Sequence, residues 1–335
     1  MLKTIFILFI TLTSLLFSKD IKPVMIFDAE YIMDGAWNEL IYNGIKKFEK
    51  TSGVKVEILV IPNIKEYNEK IALYADRGYD PIMLSGVESS RELVKSTMLK
   101  HSQTRFVIFN GTFNMPNAHY FIFSFQESSF LAGYLAIKKS KTKKIGFIGG
   151  VDMPALRNYL CGYIKGAKYA DSDADVLYDF IGNDFHAWSD PDKAYAITLN
   201  QIKKNADVIF PAAGASTLGA LKAADESKIF SIGVDTNQNH LYPNSILTSV
   251  MVRVDNAAYR ALMASSRGIW RDQMKVMGLQ EKGVELAFDK YNEPHIDEAL
   301  KRELQNLEAD IILKKIDLPE YTFTNECVVN GVKIF

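Results

Sequence analysis

The chain has 335 residues, 48% of them apolar, with 39 Lys plus Arg against 40 Asp plus Glu. That length suits two domains of ordinary size, and the apolar share is enough to give each a core. A net charge of −1 argues against the basic patch on which nucleic acid is normally bound, so no nucleic-acid partner is expected.

Residues 1–18 read as an export signal. Lys3 supplies a short positive start, 5–17 is an almost unbroken apolar run, and Ser18 is a small residue before Lys19 and Asp20 where a signal peptidase can cut. The run is shorter than the roughly 20 apolar residues a membrane-spanning helix needs. No cysteine stands directly after it, which speaks against an N-terminal lipid anchor, and the mature protein is expected in the periplasm. Cys161 and Cys327 are the only cysteines. They are either a pair formed in an oxidising compartment or, the commoner reading for two distant cysteines, two buried small apolar side chains.

Short runs rich in Val, Ile and Phe then alternate with amphipathic stretches of helical length, the pattern of βαβ units around a parallel sheet. Strands are expected at 24–28, 54–60, 81–86 and 105–110, with helices starting near Gly35, Lys65 and Ser89. A second series follows, with strands at 144–150, 176–182, 207–214 and 229–235 and helices at 154–170, 191–205 and 217–227. Two consecutive series predict two similar α/β lobes. Their strands end in Asp28, Gly86, Asn110, Gly150, Gly214 and Asp235. In open α/β sheets ligands bind at that carboxyl edge, at the point where the strand order reverses. Trp37 opens the first helix of one lobe and Trp188 precedes Ser189, Asp190 and Pro191 in the other. On facing lobes, two indoles can hold a flat aromatic ligand, at roughly 1–3 kcal/mol per stacked base.

The run 149–157, followed by Gly162, Tyr163, Ile164, Lys165 and Gly166, resembles the second-lobe opening of the basic membrane protein family of solute receptors, which includes purine nucleoside receptors of ABC importers. The runs 127–134, 206–214, 232–235 and 247–257 continue the similarity in order, across nearly the whole mature chain. The resemblance implies a type I periplasmic binding protein with two Rossmann-like lobes and three crossovers, near Phe125, Val252 and Phe288. Lobe 1 would then hold 22–125 plus 252–287, and lobe 2 would hold 126–251 plus 288–335. It also implies a small-molecule ligand, permease subunits as partners, a monomer, and no cofactor or metal.

By the same resemblance, Asp34, Trp37 and Asn38 stand in the family's Asp-x-x-Phe-Asn, whose aromatic stacks on the base and whose Asn bonds its edge. Trp188 matches the opposing aromatic, and Gly214 and Asp235 match positions that contact the ribose. Asn110 stands where the nucleoside receptors usually place Asp, and Val252 where they place a ribose-binding Lys. An Asn both donates and accepts, which suits the mixed edge of adenine, and the loss of Lys removes a charged donor to the sugar.

Each residue has a plainer alternative. The tryptophans fit helix cores, Asp34 fits a helix N-cap, and Asn38 fits a solvated helix face. Asn110 and Asp235 fit strand-end turns, Gly214 fits a turn, and Arg253 points away from Val252 as a structural residue. The five histidines lack metal-ligand spacing, and the chain carries no phosphate loop, Cys-x-x-Cys or nucleophile elbow. The expectation is a non-enzymatic receptor for a purine nucleoside that delivers it to an ABC importer. A free nucleobase, another planar solute, or presentation of the ligand to a membrane sensor are the alternatives.

Overall fold

Buried parallel strands are apolar on both faces, and this chain supplies them as unbroken runs such as Val24–Phe27 and Phe106–Phe109, every residue of which is buried. The structure, a computed structural model, describes residues 20–86, 91–111, 113–319, 321–329 and 331–335. The export signal and the helix start expected at Ser89 lie outside the described residues.

The first series is β1 (Val24–Phe27), α1 (Trp37–Ser52), β2 (Glu57–Val60), α2 (Ile64–Asp76), β3 (Ile82–Leu84), α3 (Arg91–Lys100), β4 (Phe106–Phe109) and β5 (Ala118–Phe123). The second is α4 (Phe125–Lys139), β6 (Lys144–Val151), α5 (Pro154–Ala170), β7 (Asp175–Gly182), α6 (Pro191–Lys203), β8 (Val208–Ala212), α7 (Thr217–Glu226), β9 (Phe230–Asp235) and β10 (Ile246–Val252). Then come α8 (Val254–Ser266), β11 (Gln273–Met277), β12 (Val284–Leu286), α9 (Glu298–Ile312), α10 (Tyr321–Thr324) and the hairpin β13 (Val328–Val329) and β14 (Val332–Lys333).

One sheet runs β11-β5-β4-β3-β1-β2, the other β12-β10-β9-β8-β6-β7. Within these two sheets, every strand pairing among the described residues is parallel except that of β12 with β10. The two doubly wound sheets of the expected fold are therefore present, and each is completed by a strand from the C-terminal part of the chain. The last change of sheet falls between Met277 and Val284, ahead of the Phe288 expected for it, because β12 already pairs with β10. Three residues running antiparallel carry no periodicity from which that strand could be read.

Helix α1 buries Ile41, Gly44, Ile45 and Phe48, the i, i+3, i+4, i+7 stripe of an amphipathic helix, and packs on α8. Helices α4 and α5 also pack backbone to backbone. A Cβ on Gly162 would stand 2.3 Å from the Gln126 carbonyl oxygen, and one on Gly166 1.8 Å from that of Phe130, so this run needs glycine. One buried cluster, with Phe27, Phe123, Phe125, Tyr159 and Val234 among its members, runs unbroken from one lobe into the other.

Cys161 of α5 and Cys327 are bonded, with Cα atoms 5.6 Å apart. The reading of two separate buried thiols is thus corrected. Both are buried, as that reading required, but the fold folds the C-terminal segment back onto α5. Among the described residues, no helix is long and apolar enough to cross a membrane.

Candidate functional site

In the first sheet the strand order reverses between β3 and β1, so the ends of those two strands frame a crevice. Asp28 follows β1 and Ser85 follows β3, and the Ser85 hydroxyl donates to Asp28 Oδ1 at 3.1 Å. Gly86 (φ +65°) closes over this carboxyl: a Cβ there would stand 1.5 Å from Oδ2. Burial pushes the Asp28 pKa up to about 8, against the opposing pull of the Ser85 bond. Beside it α1 begins. Asp34 accepts from the backbone N–H groups of Ala36 (2.9 Å), Asn38 (3.1 Å) and Glu39 (3.2 Å), satisfying donors that the first turn of a helix leaves open.

In the second sheet the reversal falls between β6 and β8, and here an indole takes the place of the carboxyl. Trp188 closes a 3-10 turn, Phe185–Trp188, held at its start by Asp184, which accepts from His186 N–H at 3.1 Å. The Trp-Ser-Asp-Pro run makes local sense, since Asp190 caps α6 through Lys193 N–H (2.9 Å) and Pro191 occupies its first turn. Ser216 Oγ accepts from Asp190 N–H at 2.7 Å and donates to the Ala187 carbonyl at 2.9 Å, tying this turn to the end of β8. The indole lies against two glycines. A Cβ on Gly150 would come within 2.5 Å of the ring, and one on Gly214 (φ +56°) within 3.6 Å of it.

The lobes meet at Asp235, which ends β9 with φ +63°. Its carboxylate accepts from the Tyr159 hydroxyl and from the backbone N–H of Trp37, the first residue of α1 in the other lobe. Burial first, and then the charge of Asp34, push its pKa up to about 7. Thr236 Oγ1 donates to the Gly35 carbonyl at 2.9 Å, and Glu30 stands 3.7 Å from His186 and 3.5 Å from Ser189 Oγ. The segment 30–37 thus touches the second lobe at both its β9 edge and its Trp188 turn, a closed arrangement. Behind it, Trp37 packs edge-on against Phe123 at 5.6 Å and Phe125 at 6.3 Å, and Phe125 stacks on Tyr159 at 4.3 Å.

Of the residues singled out from sequence, Trp37, Asp34 and Asp235 are brought together at the lobe junction, with Trp188 and Gly214 on the facing edge. Asp34 takes the capping role that was its plainer alternative. Asn38 follows Trp37 on α1, half-buried. Asn110 ends β4 in a left-handed turn (φ +63°), its N–H bonded to the Phe121 carbonyl at 2.7 Å. Val252, only 1% exposed, packs in the buried cluster at the end of β10. Arg253 is structural, with Nε and Nη2 on Asp255 at 3.0 and 2.9 Å. Sequence reasoning missed Asp28 as a site residue, though it ends a strand beside the switch point. It also missed Tyr159, which nothing marks out from the other aromatics of α5.

Among the described residues, no group of three His, Cys, Asp or Glu side chains could hold a metal ion. Two surface hollows, of about 260 and 360 Å³, lie elsewhere, between β12 and α9 and beside the first and third crossovers.

A family model described as an ABC transporter substrate-binding protein, PnrA-like (Bmp), matches residues 21–322. Basic membrane protein A1 of Borrelia garinii subsp. bavariensis is 32% identical over 311 residues, covering 89% of this chain and 88% of that protein. Basic membrane protein A of Borreliella burgdorferi is 30% identical over 306 residues, covering 89% and 87%. An ABC transporter system solute-binding protein from Aeropyrum pernix K1 superposes with a TM-score of 0.82 at 21% identity, over 90% of this chain and 94% of that one. A second, from Conexibacter woesei, gives 0.69 at 18% identity, over 90% and 99%. At those identities the likeness speaks for the fold alone.

Proposed function

The chain belongs to the Bmp family of PnrA-like ABC transporter substrate-binding proteins, a family of receptors and not of enzymes, and from that premise we propose that it captures a purine nucleoside between its lobes and delivers it to an ABC importer. The observation that carries the reading is the pair of opposed edges, with Trp37 at the mouth of one lobe and Trp188 seated on glycines at the other. Two indoles on separate lobes gain contact with a flat ligand only when the lobes are closed, so the ligand itself favours closure. In this reading Asp235 takes hydroxyl or N–H donors of the ligand, and Asn110 and Asn38 read the base edge. The protein works in the periplasm as a monomer after removal of its leader, and the closed form docks on the permease.

A free nucleobase is the second reading. Val stands at 252, where the resemblance places a Lys that reaches the sugar, so ribose gains less here.

Calorimetry of the mature protein with adenosine, guanosine, inosine, adenine, guanine and hypoxanthine tests both. One site per chain for a purine is expected; heat only with a sugar or an amino acid would overturn the proposal.

A further inference from the structure

Several carboxylates elsewhere in this protein are held by cationic side chains. Asp80 is gripped by Arg105 at 2.7 to 3.0 Å, Asp152 by Arg157 at 2.5 and 2.6 Å, and Asp255 by Arg253 at 2.9 and 3.0 Å. Glu127 has Lys314 at 3.6 Å, and Glu49 has Lys46 at 2.9 Å. The cleft carboxylates have no such partner. Asp28 meets the hydroxyl of Ser85 on β3's end and lies near Tyr67 of α2. Asp34 is hydrogen-bonded by backbone N–H groups at the start of α1, and Asp235 meets Trp37 N–H, the Tyr159 hydroxyl of α5 and the like charge of Asp34. Among the described residues, no Lys, Arg or His acts on any of the three.

A buried carboxylate without a counter-charge is costly, and burial raises the pKa of all three. Indoles from both lobes add a second preference with the same sign, since an aromatic face attracts a cation.

We infer that the planar ligand of this cleft is a cation, a purine or purine nucleoside carrying a positive charge on its ring through alkylation or protonation at a ring nitrogen. The inference rests on the proposed function for the site itself and adds its charge. Within the cleft the ligand's charge takes the place of the protons on Asp28 and Asp235. Those protons leave to solvent on binding, because both groups titrate near neutrality, at about 8 and about 7. A neutral base has no charge with which to displace them.

Matched pairs test this: guanosine against 7-methylguanosine, and adenosine against 1-methyladenosine, titrated calorimetrically at pH 7 in two buffers of different ionisation enthalpy. The methylated member of each pair is expected to bind about tenfold tighter or better, with proton release seen for it and not for its neutral partner. Asp28→Asn and Asp235→Asn together should narrow each ratio to within about twofold, isosteric changes that keep the hydrogen-bonding shape. Neutral nucleosides binding as tightly as their methylated forms, or equal proton release for both, would overturn the inference and leave the nucleoside reading standing. Binding of 1-methylnicotinamide with none of the four nucleosides would do the reverse, removing the purine and keeping the charge.

Discussion

The two lobes share one topology and differ in what they put at its switch point. Lobe 1 places a carboxyl there, Asp28, roofed by a glycine and touched by a serine hydroxyl. Lobe 2 places an indole there, laid on Gly150 and Gly214. The strand order makes the crevice in both, and the side chains that fill it decide whether it offers charge or a flat face. A ligand held between them meets unlike surfaces, so each lobe can be tested separately.

The largest expected effect concerns the staple that only lobe 2 carries, the bond from Cys161 to Cys327. Reduction, or the double variant Cys161→Ser with Cys327→Ser, should lower ligand-free stability by about 2–5 kcal/mol. Hydrogen exchange should quicken in α5 and β6 before β1 and β4. Equal loss in both lobes would show that they unfold as one unit, as the continuous core between them also allows.

The tryptophans sharpen the contrast. Trp188→Ala and Trp37→Ala should each weaken ligand binding by roughly 1–3 kcal/mol. Trp188 rests on two glycines at the edge of the core cluster, so its loss should lower the ligand-free melting temperature only a little. Trp37 packs on Phe123 and Phe125, so its loss should lower that temperature more. Paired calorimetry and thermal melts distinguish the two, and identical behaviour would remove the distinction between a seat and a packed platform.

Acid titration addresses the charged edge. The folded pKa values of Asp28 and Asp235 lie above the ordinary 3.8, so between about pH 4 and pH 7–8 the folded state holds protons that the unfolded chain has lost. Stability should therefore fall as pH rises through that window, by up to about 1.4 kcal/mol per pH unit for each of the two groups. Melting curves of Asp28→Asn and Asp235→Asn should be flatter over the same range. If only Asp28→Asn flattens the curve, the uncompensated charge belongs to lobe 1 alone.

The smallest effect is expected at the mouth. Glu30 reaches exposed partners, His186 and Ser189, at 3.7 and 3.5 Å, and Glu30→Gln should change ligand affinity by less than about 1 kcal/mol. A larger loss in titrations at physiological salt would make the mouth, and not the two edges, the seat of closure.

The parallel strands were legible because burial on both faces leaves continuous apolar runs, as at 24–27 and 106–109. β5 was not, because His119 interrupts Ala118–Phe123 and no helix separates it from β4. Sheet membership of β11 and β12 was hidden for a different reason. They are short neighbours in sequence that join different lobes, a fact of three-dimensional closure. The same holds for the disulfide, whose cysteines are 166 residues apart. At the site, strand-end positions announced Asp235, Gly214 and Asn110. Nothing local could show that Trp37 N–H crosses to Asp235, or that Val252 turns into the core.

The chain has three tryptophans, and their placement makes the protein its own optical gauge. Trp37 and Trp188 border the cleft, while Trp270 sits apart, bonded to Asp272 and packed against His119 at 5.8 Å. Emission from the first two should respond to a stacked ligand and to lobe motion, with Trp270 as a fixed internal reference. Opening and closing can then be followed by fluorescence in the unlabelled protein, and single-tryptophan variants would assign each change to one lobe.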